Sequence, residues 1–144
     1  MTTGFGSTFK NDLSLLIFNA TAIANVADNA ASSPITNIFA ALHTATAVSG
    51  NQTTSEATYT SYARVGVART SGGWSVSSGV TTNVAAITFP AATGGSNTIT
   101  DVSLGTLTSG TGKVIVGGAL TASLSVSSGI TPQFAISACS CTLT

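Results

Sequence analysis

The stretch that decides the fold is Tyr59-Thr-Ser-Tyr-Ala-Arg-Val-Gly-Val-Ala-Arg-Thr70, which contains both tyrosines and both arginines of the chain. Its residues alternate as in a β-strand, with one face formed by Ala63, Val65 and Val67. Arg64 lies on the other face, and a covered guanidinium needs an anionic or carbonyl partner. Glu56 is the nearest acidic residue in the sequence. The pattern predicts a central strand with a paired Arg64, and the alternative is an edge strand with solvated arginines.

The composition of the chain is unusually poor in charge. It has 144 residues, with four basic and four acidic side chains and a net charge of zero. Charged residues make up 6% of the chain, against about 25% in a typical soluble domain. Because solubility usually depends on net charge, such a surface favours a protein that is packed against other subunits. Four scattered cations cannot neutralise several phosphates, so we expect no nucleic-acid partner.

No segment of the sequence predicts contact with a membrane. The longest apolar run is Leu15-Leu-Ile-Phe18, whereas a spanning helix needs about 18 residues. The N-terminus also lacks the basic start and apolar stretch of a signal peptide. We therefore expect no membrane partner.

Only one segment has the period of a helix, from Phe9 to Phe18. Its apolar stripe is spaced i, i+4, i+7 and i+8 and consists of Phe9, Leu13, Leu16 and Ile17. A helix of about ten residues is too short to be stable alone in water, so it must pack on a sheet or on a neighbouring subunit. Residues 1–8 are rich in Gly, Ser and Thr and are predicted to form a flexible arm. Residues 9–144 are predicted to form a single domain.

The remainder of the chain predicts seven to nine strands separated by Gly/Ser turns. The segments, besides the opening stretch, are Ile35–Thr44, Trp74–Ser77, Val84–Phe89, Thr98–Leu107, Lys113–Ala119, Leu120–Val126 and Gln133–Leu143. Trp74 is expected to anchor a core or an interface. The motif Ser75-Val-Ser-Ser-Gly-Val-Thr81 recurs almost unchanged at 125–131, which predicts two similar strand ends. The fold class is mainly β, an antiparallel β-sandwich or jelly-roll-like barrel with one short N-terminal helix.

Residues capable of catalysis or metal binding are few and scattered. His43 is the only histidine, and at a strand end beside Phe39 it is interpreted as a structural hydrogen-bonding residue. Cys139 and Cys141 are expected to be free thiols, because side chains at i and i+2 of a strand run parallel and a Cys-x-Cys pair supplies too few zinc ligands. No nucleophile or phosphate-binding motif occurs. We therefore expect no enzymatic activity, no cofactor and no metal site.

Four segments in order carry a resemblance to a known family. They are Asn11–Phe18, Ile38-Phe-Ala-Ala-Leu-His-Thr44, Glu56–Val67 with Tyr62-Ala-Arg64, and Ile87-Thr-Phe-Pro-Ala-Ala92. The chain resembles a family of small virion proteins of tailed bacteriophages, which are labelled as tail fibre or head decoration proteins. The resemblance implies a structural virion component without catalytic activity, assembled in the cytoplasm of the host bacterium.

The interpretation favoured by the sequence is a capsid decoration protein that stabilises the phage head. Its expected partners are the major capsid protein or other virion subunits, and further copies of itself in a trimer or dimer. The candidate interface residues are the helix stripe with Glu56, Tyr62, Arg64 and Trp74. The alternative is a tail fibre, tail tip or adaptor component that binds the host surface.

Overall fold

The computed structural model describes residues 7–23 and 34–142. Residues 1–6 of the predicted arm lie outside this part of the chain, as does the side chain of Phe9. Helix α1 (Ser7–Asn19) begins two residues before the predicted start, so Ser7 and Thr8 belong to the helix rather than to an arm.

Strands account for most of the regular structure, in agreement with the predicted fold class. The described residues form nine strands: β1 (Asn37–His43), β2 (Val65–Ala68), β3 (Trp74–Ser77), β4 (Val80–Asn83), β5 (Ile87–Thr88), β6 (Asn97–Gly105), β7 (Val114–Val126), β8 (Gln133–Phe134) and β9 (Ser140–Thr142). The mainly β, antiparallel fold with one short helix near the N-terminus is confirmed. These strands do not close into a barrel within the described residues.

The chain divides into two compact units. The first unit contains residues 1–36, 68–86 and 134–144, and the second contains residues 37–67 and 87–133. Both units are assembled from segments that are distant in sequence. The single-domain organisation of residues 9–144 stays a prediction.

The second unit is built on a four-stranded sheet in the order β2-β1-β6-β7. Strand β1 pairs antiparallel with β6, with Leu42 opposite Val102 and His43 opposite Asp101. Residues from both faces of β1 are buried, including Ile38, Ala40, Ala41 and Leu42. Strand β1 is therefore one of the two interior strands of the sheet, and it is buried on both faces.

The stretch Tyr59–Thr70 is not a central strand, and this prediction was wrong. Only Val65–Ala68 is extended, and β2 lies at the edge of the sheet. Ser61 has a φ of +80°, and the Tyr62 amide donates to the Tyr59 carbonyl at 3.0 Å. The first half of the stretch is therefore a turn, because one left-handed residue ends a strand.

Strand β7 combines the two strands predicted at 113–119 and 120–126. Its pairing with β6 is interrupted, because Leu124 lies opposite Ile99 whereas Ala119 lies opposite Asp101. Residues 120–123 therefore have no pairing partner on β6 and bulge from the ladder. Gly117 lies where the backbones approach closely, since an added Cβ would stand 3.0 Å from the Val102 carbonyl oxygen.

The first unit packs α1 against a three-stranded sheet in the order β3-β4-β9. Trp74 is fully buried, and its ring meets the ring of Phe18 edge-on, with centroids 5.1 Å apart. Ser78 and Gly79 both have positive φ and join β3 to β4 in a two-residue hairpin. In the repeated motif, by contrast, only Gly129 is left-handed, and the Ile130 amide donates to the Ser127 carbonyl. The same sequence therefore forms two different turns.

The predicted strand at Val84–Phe89 is reduced to β5, and the preceding strand β4 was not predicted. Asn83 explains the break, because its side-chain amide donates to the carbonyls of Ala85 and Ala135 at 2.8 Å each. Its Oδ1 accepts a bond from the Cys139 amide at 2.9 Å. These three bonds bend the chain between the two strands.

The C-terminus of α1 is capped from a distant part of the first unit. The chain leaves the helix at Ala20, whose φ is +56°, and the last carbonyls lack intrahelical partners. Arg69 donates from Nε to the Ile17 carbonyl and from Nη2 to the Leu16 carbonyl. A cation at this end also complements the helix dipole. Arg69 therefore holds the C-terminal end of the helix, and burial lowers the pKa of its guanidinium.

Candidate functional site

Arg64 and Glu56 form a two-pronged ion pair in the second unit. Arg64 Nε lies 2.6 Å from Glu56 Oε1, and Nη2 lies 2.8 Å from Oε2. The Arg64 side chain is 2% exposed and the Glu56 side chain 17% exposed. Charge-assisted bonds in this paired geometry are short and directional, and removing one partner would leave a covered charge uncompensated.

The guanidinium of Arg64 also holds a loop in place. We call residues 106–112, between β6 and β7, the 106–112 loop. Arg64 Nη1 donates to the Leu107 carbonyl at 2.9 Å, and Nη2 donates to the Gly110 carbonyl at 2.8 Å. One side chain thus satisfies two loop carbonyls and a carboxylate. We call Arg64, Glu56 and the two loop carbonyls the arginine clamp.

Tyr62 connects the arginine clamp to strand β1. Its hydroxyl donates to Glu56 Oε1 at 3.0 Å and accepts from the Leu42 amide at 3.0 Å. Burial is the main reason that the pKa of Tyr62 is raised. Its ring packs edge-on against Tyr59, with centroids 5.3 Å apart, and stacks beside Phe89. Packing against Tyr59 and Phe89 therefore fixes the Tyr62 ring, and the Tyr62 hydroxyl in turn holds the Glu56 carboxylate.

Gln52 fixes the same loop from another direction. Its Oε1 accepts from the Leu107 amide at 2.9 Å, and its backbone amide donates to the Gly112 carbonyl at 2.8 Å. Gln52 is fully buried, and a Cβ added at either Gly105 or Gly112 would overlap its side-chain amide. Gly105 and Gly112 therefore leave a slot for the Gln52 side chain, and any residue with a Cβ at either position would close this slot.

His43 joins β1 and β6 to the loop that follows β1, as a neutral hydrogen-bonding residue. Its Nδ1 lies 2.9 Å from the Thr54 carbonyl, which can only accept, so Nδ1 carries the proton. Its Nε2 lies 2.8 Å from Ser103 Oγ and accepts the hydroxyl proton. Burial is the main reason that the pKa of His43 is lowered. Both side chains are at most 1% exposed, so this Ser–His pair has no access to a substrate.

The structure brings together three of the predicted site residues, Glu56, Tyr62 and Arg64. Trp74 and the helix stripe belong to the first unit, where Leu13, Leu16 and Ile17 are half-buried. Among the helix residues whose side chains the structure describes, the buried ones are instead Ser14 and Phe18. The interface role of all these residues stays a prediction.

Sequence reasoning missed the partners of the clamp that are distant in the chain. These are the carbonyls of Leu107 and Gly110, which are backbone atoms. Sequence reasoning also missed Gln52, which holds the same loop, and Ser103, the partner of His43. The only available signal was the pair of glycines at 105 and 112, because glycine often marks close backbone approach.

A cavity of about 260 Å³ lies beside the arginine clamp. Its lining includes the side chains of Glu56, Tyr62 and Arg64 and the small side chains of Ala57 and Ala63. Residues 108–110 complete the lining, and we call them the rim. Elsewhere in the second unit, Leu107 and Val48 are the large apolar side chains most exposed to solvent, at 47% and 56%.

Groups suited to metal binding do not converge in the described part of the chain. No cluster of three or more His, Cys, Asp or Glu side chains occurs among residues 7–23 and 34–142. Cys139 and Cys141 are free thiols, as predicted, and burial raises the pKa of Cys139 to about 11. Within those same ranges, no helix has the length and hydropathy needed to cross a membrane.

The fold is mainly antiparallel β, and its paired charges hold internal loops in place. The chain belongs to a family of bacteriophage fibre proteins, because residues 17–142 match the family described as Podophage GP4 fiber I protein gp80. This match confirms the resemblance to phage virion structural proteins. No curated protein matches the chain.

Proposed function

We propose that this protein is a fibre component of the phage tail, with a mechanical role and no catalytic role. The observation that carries the proposal is the match of residues 17–142 to a family whose description names a fibre protein. A match over this range includes both compact units, so the likeness extends beyond one shared motif.

The use of charge in the structure supports a mechanical role. Arg64, Glu56 and Arg69 are three of the eight formally charged residues, and all three hold internal loops or helix ends. Thr, Ser, Ala and Gly are the most common residues of the chain, and only 6% of its residues are charged. A surface poor in charge can pack against other virion subunits without desolvating unpaired charges, which is energetically costly.

Capsid decoration is the second candidate, and the same low charge favours it. A protein bound in many copies to a capsid also needs neutral contact surfaces. The family description favours the fibre, and the compact units provide the folded body that either role requires.

Immunogold electron microscopy of intact virions would test the proposal. Antibodies raised against the purified chain should label the tail region, with the head surface unlabelled. Label distributed over the whole head would overturn the fibre proposal and favour decoration. Disrupted virions serve as the control, because they expose an epitope that is covered in intact particles.

A further inference from the structure

The cavity beside the arginine clamp has hydrogen-bonding groups without partners. A guanidinium has five N–H donors, and four of those on Arg64 are directed at Glu56, Leu107 and Gly110. The fifth, on Nη1, has no partner among the described residues. The Arg64 side chain is only 2% exposed, and a buried donor without a hydrogen-bond partner costs desolvation free energy.

The other polar groups of the lining have unused hydrogen-bonding capacity, both to accept and to donate. Glu56 Oε2 accepts one bond, from Arg64, and a carboxylate oxygen can accept two. The hydroxyls of Thr108 and Ser109 on the rim have no partner among the described residues, and each can donate and accept. The cavity therefore presents donors and acceptors in nearly equal number.

The charge of the lining excludes ionic ligands. The guanidinium and the carboxylate neutralise each other, so an anion would meet Glu56 and a cation would meet Arg64 at close range. The methyl groups of Ala57 and Ala63 add a small apolar wall. A neutral ligand that has alternating hydroxyls and C–H groups satisfies both kinds of surface.

The size of the cavity limits the ligand to about one ring. Its volume of about 260 Å³ lies just below the roughly 300–1,000 Å³ of clefts for drug-sized ligands. We propose that this cavity binds one neutral sugar ring, through the free N–H of Arg64, the free lone pair of Glu56 and the rim hydroxyls. This proposal rests on the fibre proposal in one respect, because a fibre would meet sugars on the host surface.

Saturation-transfer NMR on the purified full chain tests the binding directly. The probes are the methyl pyranosides of glucose, galactose, mannose and N-acetylglucosamine, each up to about 50 mM. A ligand of about a dozen heavy atoms corresponds to a Kd of roughly millimolar. We expect saturation transfer to at least one probe. No transfer to any of them would mean that the cavity holds water only, and would overturn the proposal.

Two variants assign the signal to the cavity. The double variant Thr108→Ala/Ser109→Ala removes the rim hydroxyls and should weaken binding by about tenfold. Ala63→Leu should abolish binding, because the added isopropyl group occupies the cavity that Ala63 lines. Ser128→Ala, at an exposed serine on another turn of the same unit, is the matched control. Binding that is unchanged in both cavity variants would overturn the assignment.

Charged probes separate this proposal from its alternatives. Preferential binding of methyl glucuronide or of an acidic peptide would overturn the choice of a neutral ligand. The location of the protein in the virion is measured separately by immunogold labelling. A fibre without sugar binding and a sugar-binding capsid protein are therefore distinguishable outcomes.

Discussion

Arg64 holds both carboxylate oxygens of Glu56, eight residues away in the chain, at 2.6 and 2.8 Å. The same guanidinium reaches the carbonyls of Leu107 and Gly110, more than forty residues further along. Because these bonds join a loop that precedes β2 to the loop between β6 and β7, the clamp closes a long-range contact. Its loss should affect the whole second unit.

Replacing Arg64 with alanine should destabilise the protein by about 3–5 kcal/mol. The change removes the Arg64 donors from the Glu56 carboxylate, which keeps only the Tyr62 hydroxyl, and from the carbonyls of Leu107 and Gly110. For a chain of this length the melting temperature should fall by roughly 10 °C. Lys113→Ala is the matched control, because Lys113 is exposed, and it should change stability by less than about 0.5 kcal/mol. Equal melting temperatures for wild type and Arg64→Ala would show that the clamp contributes nothing.

Gly105→Ala should destabilise the protein because the new Cβ overlaps the Gln52 side-chain amide. Overpacking of this kind typically costs about 1–3 kcal/mol. Urea unfolding measures the change, and Gly118→Ala is the control, since nothing lies within 4 Å of a Cβ at that position. The double variant Gly105→Ala/Gln52→Ala should be less destabilised than the sum of its single changes. Strict additivity would argue against the slot.

Stability should decrease as the pH falls below about 6.5, because His43 is folded in its neutral form. Its pKa is lowered in the fold, so between the folded pKa and the unfolded value of 6.5 the unfolded chain binds more protons. Stability conferred by neutral His43 is therefore present above pH 6.5 and is lost on acidification. The charged groups that act on His43 are Glu56, Arg64 and Asp101.

Urea unfolding at about pH 7.5 and about pH 5.5 measures this dependence. The wild type should lose stability between the two conditions, whereas His43→Gln should show a much smaller difference. The chain has no other histidine, so the comparison isolates this group. Identical slopes for the two proteins would contradict a role for His43.

Replacing Arg69 with methionine should destabilise α1 while it keeps most of the apolar stem. The change removes charge-assisted bonds to the carbonyls of Leu16 and Ile17, which should cost about 2 kcal/mol. Far-ultraviolet circular dichroism with urea unfolding measures the loss. Lys10→Met, in the first turns of the same helix, is the control and should be neutral or slightly stabilising. A larger loss in the control would contradict the capping account.

Local pattern was sufficient to predict part of this structure. The period of residues 9–18 predicted α1, and alternation predicted β1, β3 and β6, because each of these segments has one period throughout. The pairing of Arg64 with Glu56 was predicted because a covered guanidinium needs an anionic or carbonyl partner and Glu56 is the nearest acidic residue in the sequence. These features depend on residues that are close in sequence.

Long-range contacts determined the features that the sequence did not predict. The strand pattern of Tyr59–Thr70 fails because the turn at Ser61 and the Thr60–Gly94 bridge override it. Strand β4 was missed because Ser78-Gly79 forms a two-residue turn between β3 and β4, and the same residues are also typical of a longer loop. The acceptors of Arg64 are backbone carbonyls, and a carbonyl has no signature in an amino-acid sequence.

The position of the protein in the virion is the central claim, and its copy number there tests it most directly. Heads and tails of purified virions would be separated, and the chain would be counted in each fraction by quantitative mass spectrometry against the major capsid protein. A fibre component should appear with the tails, in a few to a few dozen copies for each particle. Hundreds of copies that remain with the heads would contradict the fibre proposal and identify a capsid decoration protein.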